Sequence, residues 1–561
     1  MTTLVPNRRT KKIFSLLLLV FAIQTAGDGA DASDAAKESN LATLAGVVDS
    51  DTSGIEVDKY ALKLSVDPAR RQIQGIATIA MRYPDAKTQY IRFDMAAELY
   101  ARSVSIDGEN AQFSHDAEYL TISIPAGVRD LHESDSHPLL IAIEYSGTPD
   151  GGFFSFDRLN ETDSIANYGL PYSARHWFPC FDTPFLKAHE MFADITVPNN
   201  LFAVSNGSLI GVDHVNESTS TFHWHEKYPI YADVVSIAAA DYKNFSLPYS
   251  DKSGRILPLD FYLFAQDIES ARRDFSVVPK ILSSYEDLLG PYPFPGEKYG
   301  IAEFSRNSFR EHQTLPSLGR KFITGRNENW WIIAHEIAHQ WFGNAVSVES
   351  WSDVWLNESF AQYSVALWQE REEGAVAYHA FMKKLWANSF AGSVYVADPR
   401  AINKMFGDTT FGKGTWALHM LRHVMGDANF LAALKTYISE RRYGHATTAT
   451  WQAICERYFG KPLNWFFKEW IYETGQPVYR IEWTRRSADQ SAGYLLTLTQ
   501  TQEGTIFKMP IDLSIHYRSG ATRTTIWMDQ RTQSFPIDTP DEVVAVEVDP
   551  DDWVLKGIAP D

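Results

Sequence analysis

A short apolar segment of this 561-residue chain carries two histidines and a glutamate at the spacing of a metal site. In His335-Glu336-Ile-Ala-His339 the histidines are four positions apart, so in a helix both imidazoles lie on nearly the same face. Glu336 lies about 100° around that helix from His335, where it can act on a water held by the metal without being a ligand. Glu358 follows His339 after eighteen intervening residues and would supply a carboxylate from the next helix.

This set of side chains favours a catalytic zinc site. Three protein ligands, here His335, His339 and Glu358, leave a tetrahedral zinc ion one open position for water, whereas structural sites are closed by protein ligands. The competing hypothesis is a helix that merely exposes two histidines. The position of Glu358 on a second apolar segment argues against that hypothesis, and the sequence predicts zinc binding.

Composition describes a large globular protein. An apolar content of 45% with 22% charged residues excludes a disordered chain, and the length suggests roughly three or four domains. A net charge of −19 argues against nucleic acid or an anionic membrane surface as the main partner. The two cysteines, Cys180 and Cys455, are far apart in sequence and are expected to be buried thiols. The oligomeric state is not predictable from these data.

The N-terminus has the pattern of a targeting segment. Four basic residues between Arg8 and Lys12 precede the apolar run Ile13–Ile23, which is short for a membrane span, and Ala30-Asp31-Ala32 offers a cleavage site. We predict a signal peptide over residues 1–32 and export to the periplasm or the extracellular space. The alternative is an uncleaved N-terminal anchor. No later apolar stretch is long enough to span a membrane, so the mature chain is expected to contain no span.

The periodicity of apolar residues changes twice along the chain, which predicts an α+β multidomain protein. After a linker over 33–54, alternating patterns such as Tyr60, Leu62 and Leu64 predict an antiparallel β domain over 55–248. Helical patterns then predict a mostly helical domain over 249–475 that carries the metal ligands. Alternation returns over 476–561 and predicts a C-terminal β-sandwich.

Four stretches resemble motifs of the aminopeptidase N family of zinc metallopeptidases, the gluzincins. They are ARHWFPCFDTP from Ala174 to Pro184, Glu311–Thr314, the signature from His335 to Glu358, and Gly412–Gly414. The match is specific, extends over most of the mature chain and has the same order of domains. The resemblance implies a thermolysin-like catalytic domain, one zinc ion per chain, and removal of N-terminal residues from peptide substrates.

The resemblance also implies roles for individual residues. Glu336 would be the general base, which takes a proton from water and passes it to the leaving amine. Glu311 would hold the free α-ammonium of the substrate, because a buried cation requires an opposite charge; the alternative is a solvated loop carboxylate. Arg310 would pair with Glu311 or meet an anionic substrate. Because strands alternate faces, Arg310 pointing into solvent is the equal alternative.

Two departures from the family pattern concern the reaction centre. Phe411 stands two residues before Lys413, where the family has a tyrosine whose hydroxyl donates to the oxyanion. Losing one such donor costs on the order of a hundred- to a thousandfold in rate. A distant tyrosine, Tyr395 or Tyr363, is the alternative donor. Val365 replaces a glutamate that orients the first histidine ligand.

Two further departures concern the substrate. Ser308-Phe309-Arg310 replaces a glycine, a small residue and a methionine, so the cleft is expected to be narrower or reshaped. Leu170 replaces a polar second anchor for the substrate ammonium. Because Val365 offers no carboxylate to orient the first histidine ligand, Asp353 or a main-chain carbonyl is expected to orient it instead.

These observations leave three hypotheses open. The first is a zinc-dependent aminopeptidase whose efficiency is lowered by Phe411. The second is a zinc-binding pseudoenzyme that binds peptides with weak activity, and the third is a hydrolase with a shifted choice of substrate. Hydrolysis of aminoacyl amides by the zinc-loaded protein separates the first hypothesis from the second.

Overall fold

The structure, a computed structural model, describes residues 54–560 apart from short gaps at 83–87, 129–136, 160–161, 169–170, 388–389, 487–492 and 540. The predicted signal peptide, the linker up to residue 53, and Leu170 therefore lie outside the described residues. The rest forms two compact units. The first contains the described residues up to Trp351 together with Glu440–Ala446, and the second contains Ser352–Ser439 and Thr447–Asp561. The predicted domain boundaries stay predictions.

The first unit begins with a β-rich region. Its strands are β1 Glu56–Asp67, β2 Gln72–Arg82, β3 Tyr90–Asp94, β4 Leu99–Ile106, β5 Glu109–Asn110, β6 Phe113–His115, β7 Tyr119–Ser123, β8 Leu139–Gly147, β9 Phe154–Leu159, β10 Thr162–Asn167, β11 Ala188–Pro198, β12 Phe202–Ser205, β13 Ser208–His214, β14 Thr219–Glu226 and β15 Ile237–Ala240. They form an eight-stranded sheet in the order β13-β14-β11-β1-β2-β8-β4-β5, a four-stranded sheet β12-β15-β10-β9 and a small sheet β3-β7-β6.

β1 lies between β2 and β11 in the large sheet, and its alternating apolar side chains bury one face of the strand. Tyr60, Leu62 and Leu64 are buried on one side of the strand, as their period of two predicts. β1 pairs antiparallel with β2 but parallel with β11, with Tyr60 opposite Met191. This one parallel pair was not predicted. Parallel strands need a long connection, which periodicity within a strand does not reveal.

The apolar run Val234–Ala239 predicts a further strand of this domain, and that prediction is partly wrong. Ala232–Val234 forms a turn of 3-10 helix, and β15 begins only at Ile237. Here the Asn206 side-chain amide makes hydrogen bonds to the backbone that a neighbouring strand would otherwise make. Its Nδ2 donates to the Val234 carbonyl at 3.0 Å, and its Oδ1 accepts from the Ser236 N–H at 2.6 Å.

The first unit continues with a sheet and helices that carry the histidine motif. The elements are β16 Tyr242–Leu247, β17 Leu259–Phe264, α1 Ile268–Asp274, α2 Val278–Leu289, β18 Tyr299–Phe304, β19 Phe309–Arg310, β20 Ser317–Gly319, α3 Trp330–Ala338, β21 Ser347–Val348 and β22 His445–Ala446. Strands β16 to β20 form one sheet in the order β16-β17-β18-β20-β19. The apolar stripe over Asp267–Leu289 predicts a single helix. A 3-10 turn at Phe275–Val277, close to Pro279 in the first turn of α2, interrupts it.

The second unit is helical first and β-rich afterwards. Its helices are α4 Trp355–Glu373, α5 Ala375–Lys384, α6 Ile402–Met405, α7 Gly414–Met425, α8 Asp427–Arg441, α9 Thr448–Phe459 and α10 Asn464–Phe467. Its strands are β23 Val478–Arg485, β24 Gly493–Gln500, β25 Met509–Tyr517, β26 Gly520–Met528, β27 Thr532–Asp538, β28 Val543–Val548 and β29 Gly557–Ile558. The strands form two sheets, β27-β24-β23-β29 and β26-β25-β28.

The order of a β-rich, a helical and a second β-rich region confirms the predicted fold class. Cys180 and Cys455 are both free and buried, as predicted. Among the described residues, no helix combines the length and the apolar character that crossing a bilayer requires.

Candidate active site

The two histidines lie at the end of a buried helix. The Tyr285 hydroxyl of α2 donates to the Ala334 carbonyl of α3 at 3.1 Å and so joins the two helices. His335 lies in the last turn of α3, and His339 follows the last residue of the helix, its N–H still donating to the His335 carbonyl at 3.2 Å. The two Nε2 atoms are 3.0 Å apart, and both side chains are buried. The helical spacing therefore brings both rings to one point.

The loop after α3 orients the second ring. His339 Nδ1 lies 3.0 Å from the Phe342 carbonyl, an acceptor, so Nδ1 carries the proton and Nε2 keeps its lone pair. A main-chain carbonyl behind a histidine is a common way to fix its tautomer for metal binding. The Phe342 carbonyl thus prepares Nε2 of His339 as a ligand atom.

The third residue predicted as a ligand, Glu358, belongs to the same group. One ligand atom from each of His335, His339 and Glu358 can be chosen so that all three lie within 4.8 Å of one another. Glu358 lies in the first turn of α4 and is buried, as both histidines are. Two imidazole nitrogens and one carboxylate oxygen are a ligand set of the kind that catalytic zinc sites use.

Glu336 lies on the same helix as the histidines and is buried beside a phenol. Burial, and after it the neighbouring Glu336 carboxylate, raise the pKa of Tyr299 well above its ordinary value. The Tyr299 phenol therefore stays neutral. A buried carboxylate beside the two histidines is suitably placed for proton transfer from a water held between them.

The segment from Glu311 to Thr314 is held by side chains that follow the histidine motif. The Asn344 amide donates to the Glu311 carbonyl at 2.7 Å. Gln340, which directly follows His339, accepts from the Thr314 N–H at 2.9 Å and donates to the His312 carbonyl at 3.3 Å. These hydrogen bonds fix the segment with the predicted ammonium ligand relative to the residues that follow α3.

Arg310 does not point into solvent, so that alternative is wrong. Its side chain is 8% exposed, its Nε donates to the Tyr168 carbonyl at 2.6 Å, and its guanidinium lies 3.9 Å from the Glu311 carboxylate. Strand β19 ends at Arg310, so the alternation of faces does not extend to Glu311. The two side chains consequently lie on the same side, as the pairing hypothesis requires. Glu311 itself is 19% exposed and is not a freely solvated carboxylate.

Phe411 lies in a wide turn that is bonded to the helix of Glu358. Thr409–Lys413 is a π-helical turn, a feature frequent at functional sites, and Phe411 in it is buried. The Ser359 hydroxyl donates to the Thr410 carbonyl at 2.6 Å. Phe411 thus follows a residue anchored beside Glu358, and its ring carries no hydroxyl.

Of the two alternative donors, Tyr363 is engaged elsewhere. Its hydroxyl lies 2.8 Å from that of Tyr378, which in turn lies 2.6 Å from His419 Nδ1. Burial raises the pKa of Tyr363 to about 12. Tyr395 packs its ring against Tyr472, with the ring centroids 5.2 Å apart. That the Tyr395 hydroxyl donates to the oxyanion stays a prediction.

The residues proposed to orient His335 are also described. Val365 is buried and offers no polar atom. The Asp353 carboxylate accepts from the Thr448 N–H at 2.9 Å and from its hydroxyl at 2.6 Å, which caps the first turn of α9. That Asp353 orients His335 therefore stays a prediction.

Sequence reasoning missed several residues that support the site. Besides Gln340 and Asn344, the Lys187 ammonium donates to the Asn344 and Ala345 carbonyls at 2.8 and 3.1 Å. Burial lowers the pKa of Lys187 to about 7. Gln340 and Asn344 were detectable as polar residues in an apolar stretch next to the motif. Lys187 gave no local signal, because its partners are distant in sequence.

Two family models match this chain. The peptidase family M1 domain matches residues 305–470, and the peptidase M1 N-terminal domain matches residues 56–232. Together the two matches cover more than half of the chain. The chain therefore belongs to the M1 family of peptidases.

Individual relatives agree with this assignment. The probable aminopeptidase 1 of Sulfurisphaera tokodaii is 26% identical over 515 residues, which are 86% of this chain and 61% of that protein. Legionella pneumophila aminopeptidase A, solved with aspartic acid, superposes with a TM-score of 0.80 at 16% identity, over 92% of this chain and 61% of that one. A mutant M1 zinc metallopeptidase from Deinococcus radiodurans, bound to a Tyr-Ser-Ala substrate, has a TM-score of 0.64 at 21% identity, over 75% and 95%. The chain spans about half to three fifths of the length of the first curated relatives.

Proposed function

We propose that this protein is a zinc-dependent aminopeptidase that binds one zinc ion per chain. The observation that carries the proposal is the buried group of His335, His339 and Glu358, with Glu336 on the same helix as the histidines. Membership of the M1 family and relatives named as aminopeptidases support it. These relatives favour a peptidase over a zinc-binding pseudoenzyme.

The reaction divides between the metal and the side chains of this chain. A zinc ion would be held by His335, His339 and Glu358, and when bound it would supply Lewis acidity at this point. The Glu336 carboxylate accepts the proton from the attacking water. It then returns that proton to the amine nitrogen that leaves as the peptide bond breaks.

Glu311 gives the reaction its exopeptidase character. Its carboxylate binds the α-ammonium of the first residue of the substrate, a charge-assisted contact that places the first peptide bond at the metal. The Asn344 and Gln340 side chains fix the Glu311–Thr314 backbone. The substrates are consequently peptides with a free N-terminus.

We propose further that the protein is exported from the cytoplasm. The support is the basic cluster before Ile13–Ile23 and the small residues after it. N-terminal sequencing of the mature protein from the periplasm or the medium tests the proposal. A new N-terminus near residue 33 is the expected result, and a protein that retains Met1 at the membrane identifies the anchor instead.

The test of function is hydrolysis of a panel of aminoacyl amides by purified, zinc-loaded protein. Turnover of substrates with a free amine, and none of the same substrates acetylated on that amine, is the expected result. Hydrolysis of both forms contradicts the role of Glu311. Binding of peptides without turnover of any substrate establishes the pseudoenzyme.

Replacing Phe411 by tyrosine is expected to raise kcat by tenfold or more. The added hydroxyl restores a donor of the kind that is worth about a hundred- to a thousandfold where it reaches the oxyanion. Phe406→Tyr, which adds the same hydroxyl to another buried phenyl ring, is the matched control and should give no gain. If Phe411→Tyr leaves kcat unchanged, the missing hydroxyl does not limit the rate.

A further inference from the structure

The Arg310 guanidinium is a buried cation with unused hydrogen-bonding capacity. Its Nε donates to the Tyr168 carbonyl, but its terminal nitrogens donate no hydrogen bond to any residue in the described part of the chain. The Glu311 carboxylate, at 3.9 Å, is too distant for a hydrogen bond and makes only an ion pair. Only 8% of the side chain is exposed, but neither terminal nitrogen is among the fully buried, unpartnered atoms of the described residues, so both keep contact with solvent.

Such an arrangement leaves charged donors available to a ligand. The planar guanidinium is shaped to donate two parallel hydrogen bonds to a carboxylate. Arg306, close by in the chain, shows the contrast. Its Nε donates to the Asp157 carboxylate at 2.7 Å, and 26% of its side chain is exposed.

Apart from Glu311, the titratable groups near Arg310 add little charge to its surroundings. Asp233 is partly buried and accepts from the Ser173 hydroxyl at 2.7 Å; burial, then Asp182 and Glu311, raise its pKa, so it is less readily ionised. Burial and the Arg310 cation lower the pKa of His312 to about 3, so that ring is neutral. Arg310 and Glu311 therefore remain as one positive and one negative group side by side.

This pair is complementary to a particular kind of substrate residue. An N-terminal aspartate or glutamate carries its α-ammonium and its side-chain carboxylate only a few bonds apart. Glu311, by the proposed function, binds the ammonium. The terminal nitrogens of Arg310 lie beside it, where a carboxylate on the same residue can reach them.

We propose that Arg310 determines specificity by binding the side-chain carboxylate of an N-terminal aspartyl or glutamyl residue. The proposal rests on the proposed function, because Glu311 is taken as the ligand of the ammonium. The nearly isosteric N-terminal asparagine and glutamine fit the same space but lack the charge. A site built for a charged partner discriminates strongly against an analogue that leaves its buried group unpaired.

The test compares kcat/KM for glutamyl and glutaminyl amides in wild-type protein and in the variant Arg310→Gln. Wild-type protein is expected to prefer the glutamyl substrate by about tenfold or more, since truncating one partner of a buried charge pair has effects of this size or larger. Arg310→Gln should remove the preference by slowing the glutamyl substrate, while the glutaminyl substrate changes by less than about threefold. Arg306→Gln removes a neighbouring cation that already has a partner and should keep the preference.

A binding measurement separates this inference from the proposed function. Zinc-loaded Glu336→Gln protein, with and without Arg310→Gln, is titrated with a glutamyl and a glutaminyl dipeptide in a calorimeter. If Glu336→Gln protein binds the glutamyl dipeptide more tightly than the glutaminyl one, and the added Arg310→Gln substitution abolishes this difference, the inference is supported even where no substrate is hydrolysed. Equal binding of both dipeptides, or an equal loss of both in the Arg310 variant, overturns it even where neutral substrates are hydrolysed.

Discussion

Replacing Glu336 by glutamine is expected to lower kcat for aminoacyl amides by about two to four orders of magnitude, the usual contribution of general acid–base catalysis. Glutamine has nearly the same shape but its amide does not accept a proton at neutral pH. The proposed substrate ligand Glu311 and the three proposed metal ligands are untouched. KM is therefore expected to change much less than kcat, which steady-state kinetics on zinc-loaded protein measures.

The control for Glu336→Gln is the same substitution at an exposed glutamate. Glu349 lies beyond the histidine motif and is exposed, so Glu349→Gln should retain the wild-type kcat. Zinc content is measured on both variants and should equal that of the wild-type protein, since Glu336 is not a ligand. A Glu336→Gln protein that keeps its metal and turns over at the wild-type rate refutes the role of Glu336.

Replacing His335 by alanine is expected to weaken zinc binding by more than the ten- to hundredfold that typically follows loss of an outer partner of a ligand. The substitution removes one of only three protein ligands, and a structural water does not replace the imidazole in affinity. Elemental analysis after dialysis, together with competition against a chelator of known affinity, measures the effect. Hydrolysis should be lost in parallel.

The matched control for this variant is His189→Ala. The His189 side chain is 62% exposed in the same unit and lies outside the metal group, so zinc content should stay at the wild-type level. Zinc bound as tightly by His335→Ala as by the wild-type protein would place the metal elsewhere. Circular dichroism of both variants checks that the fold is retained.

The part of the site that the sequence could predict is the part that depends on local geometry. His335 and Glu336 lie on α3 and His339 follows its last residue in helical conformation, so the helical period fixes their relative directions. The order of β-rich and helical regions was predictable for the same reason, since the period of apolar residues reports which element a segment forms. Glu358 was found from its spacing after His339 on a second apolar segment, and the structure places it in the first turn of α4.

The parts that escaped prediction depend on contacts distant in sequence. The face on which Arg310 lies was undecided because it depends on where β19 ends, and that end is set by pairing with β20. The 3-10 turn at Ala232–Val234 depends on the Asn206 amide, which is far away in sequence. The π-helical turn at Phe411 differs from an α-helix in that its backbone hydrogen bonds span five residues instead of four, which a short apolar pattern does not resolve.

By the proposed function, hydrolysis requires a single zinc ion at His335, His339 and Glu358. Titration of zinc into chelator-treated protein, with hydrolysis of an aminoacyl amide as the readout, tests this requirement. We expect no turnover without metal, a rise with added zinc and a break at one zinc per chain. Full turnover by protein shown by elemental analysis to be free of metal would contradict it.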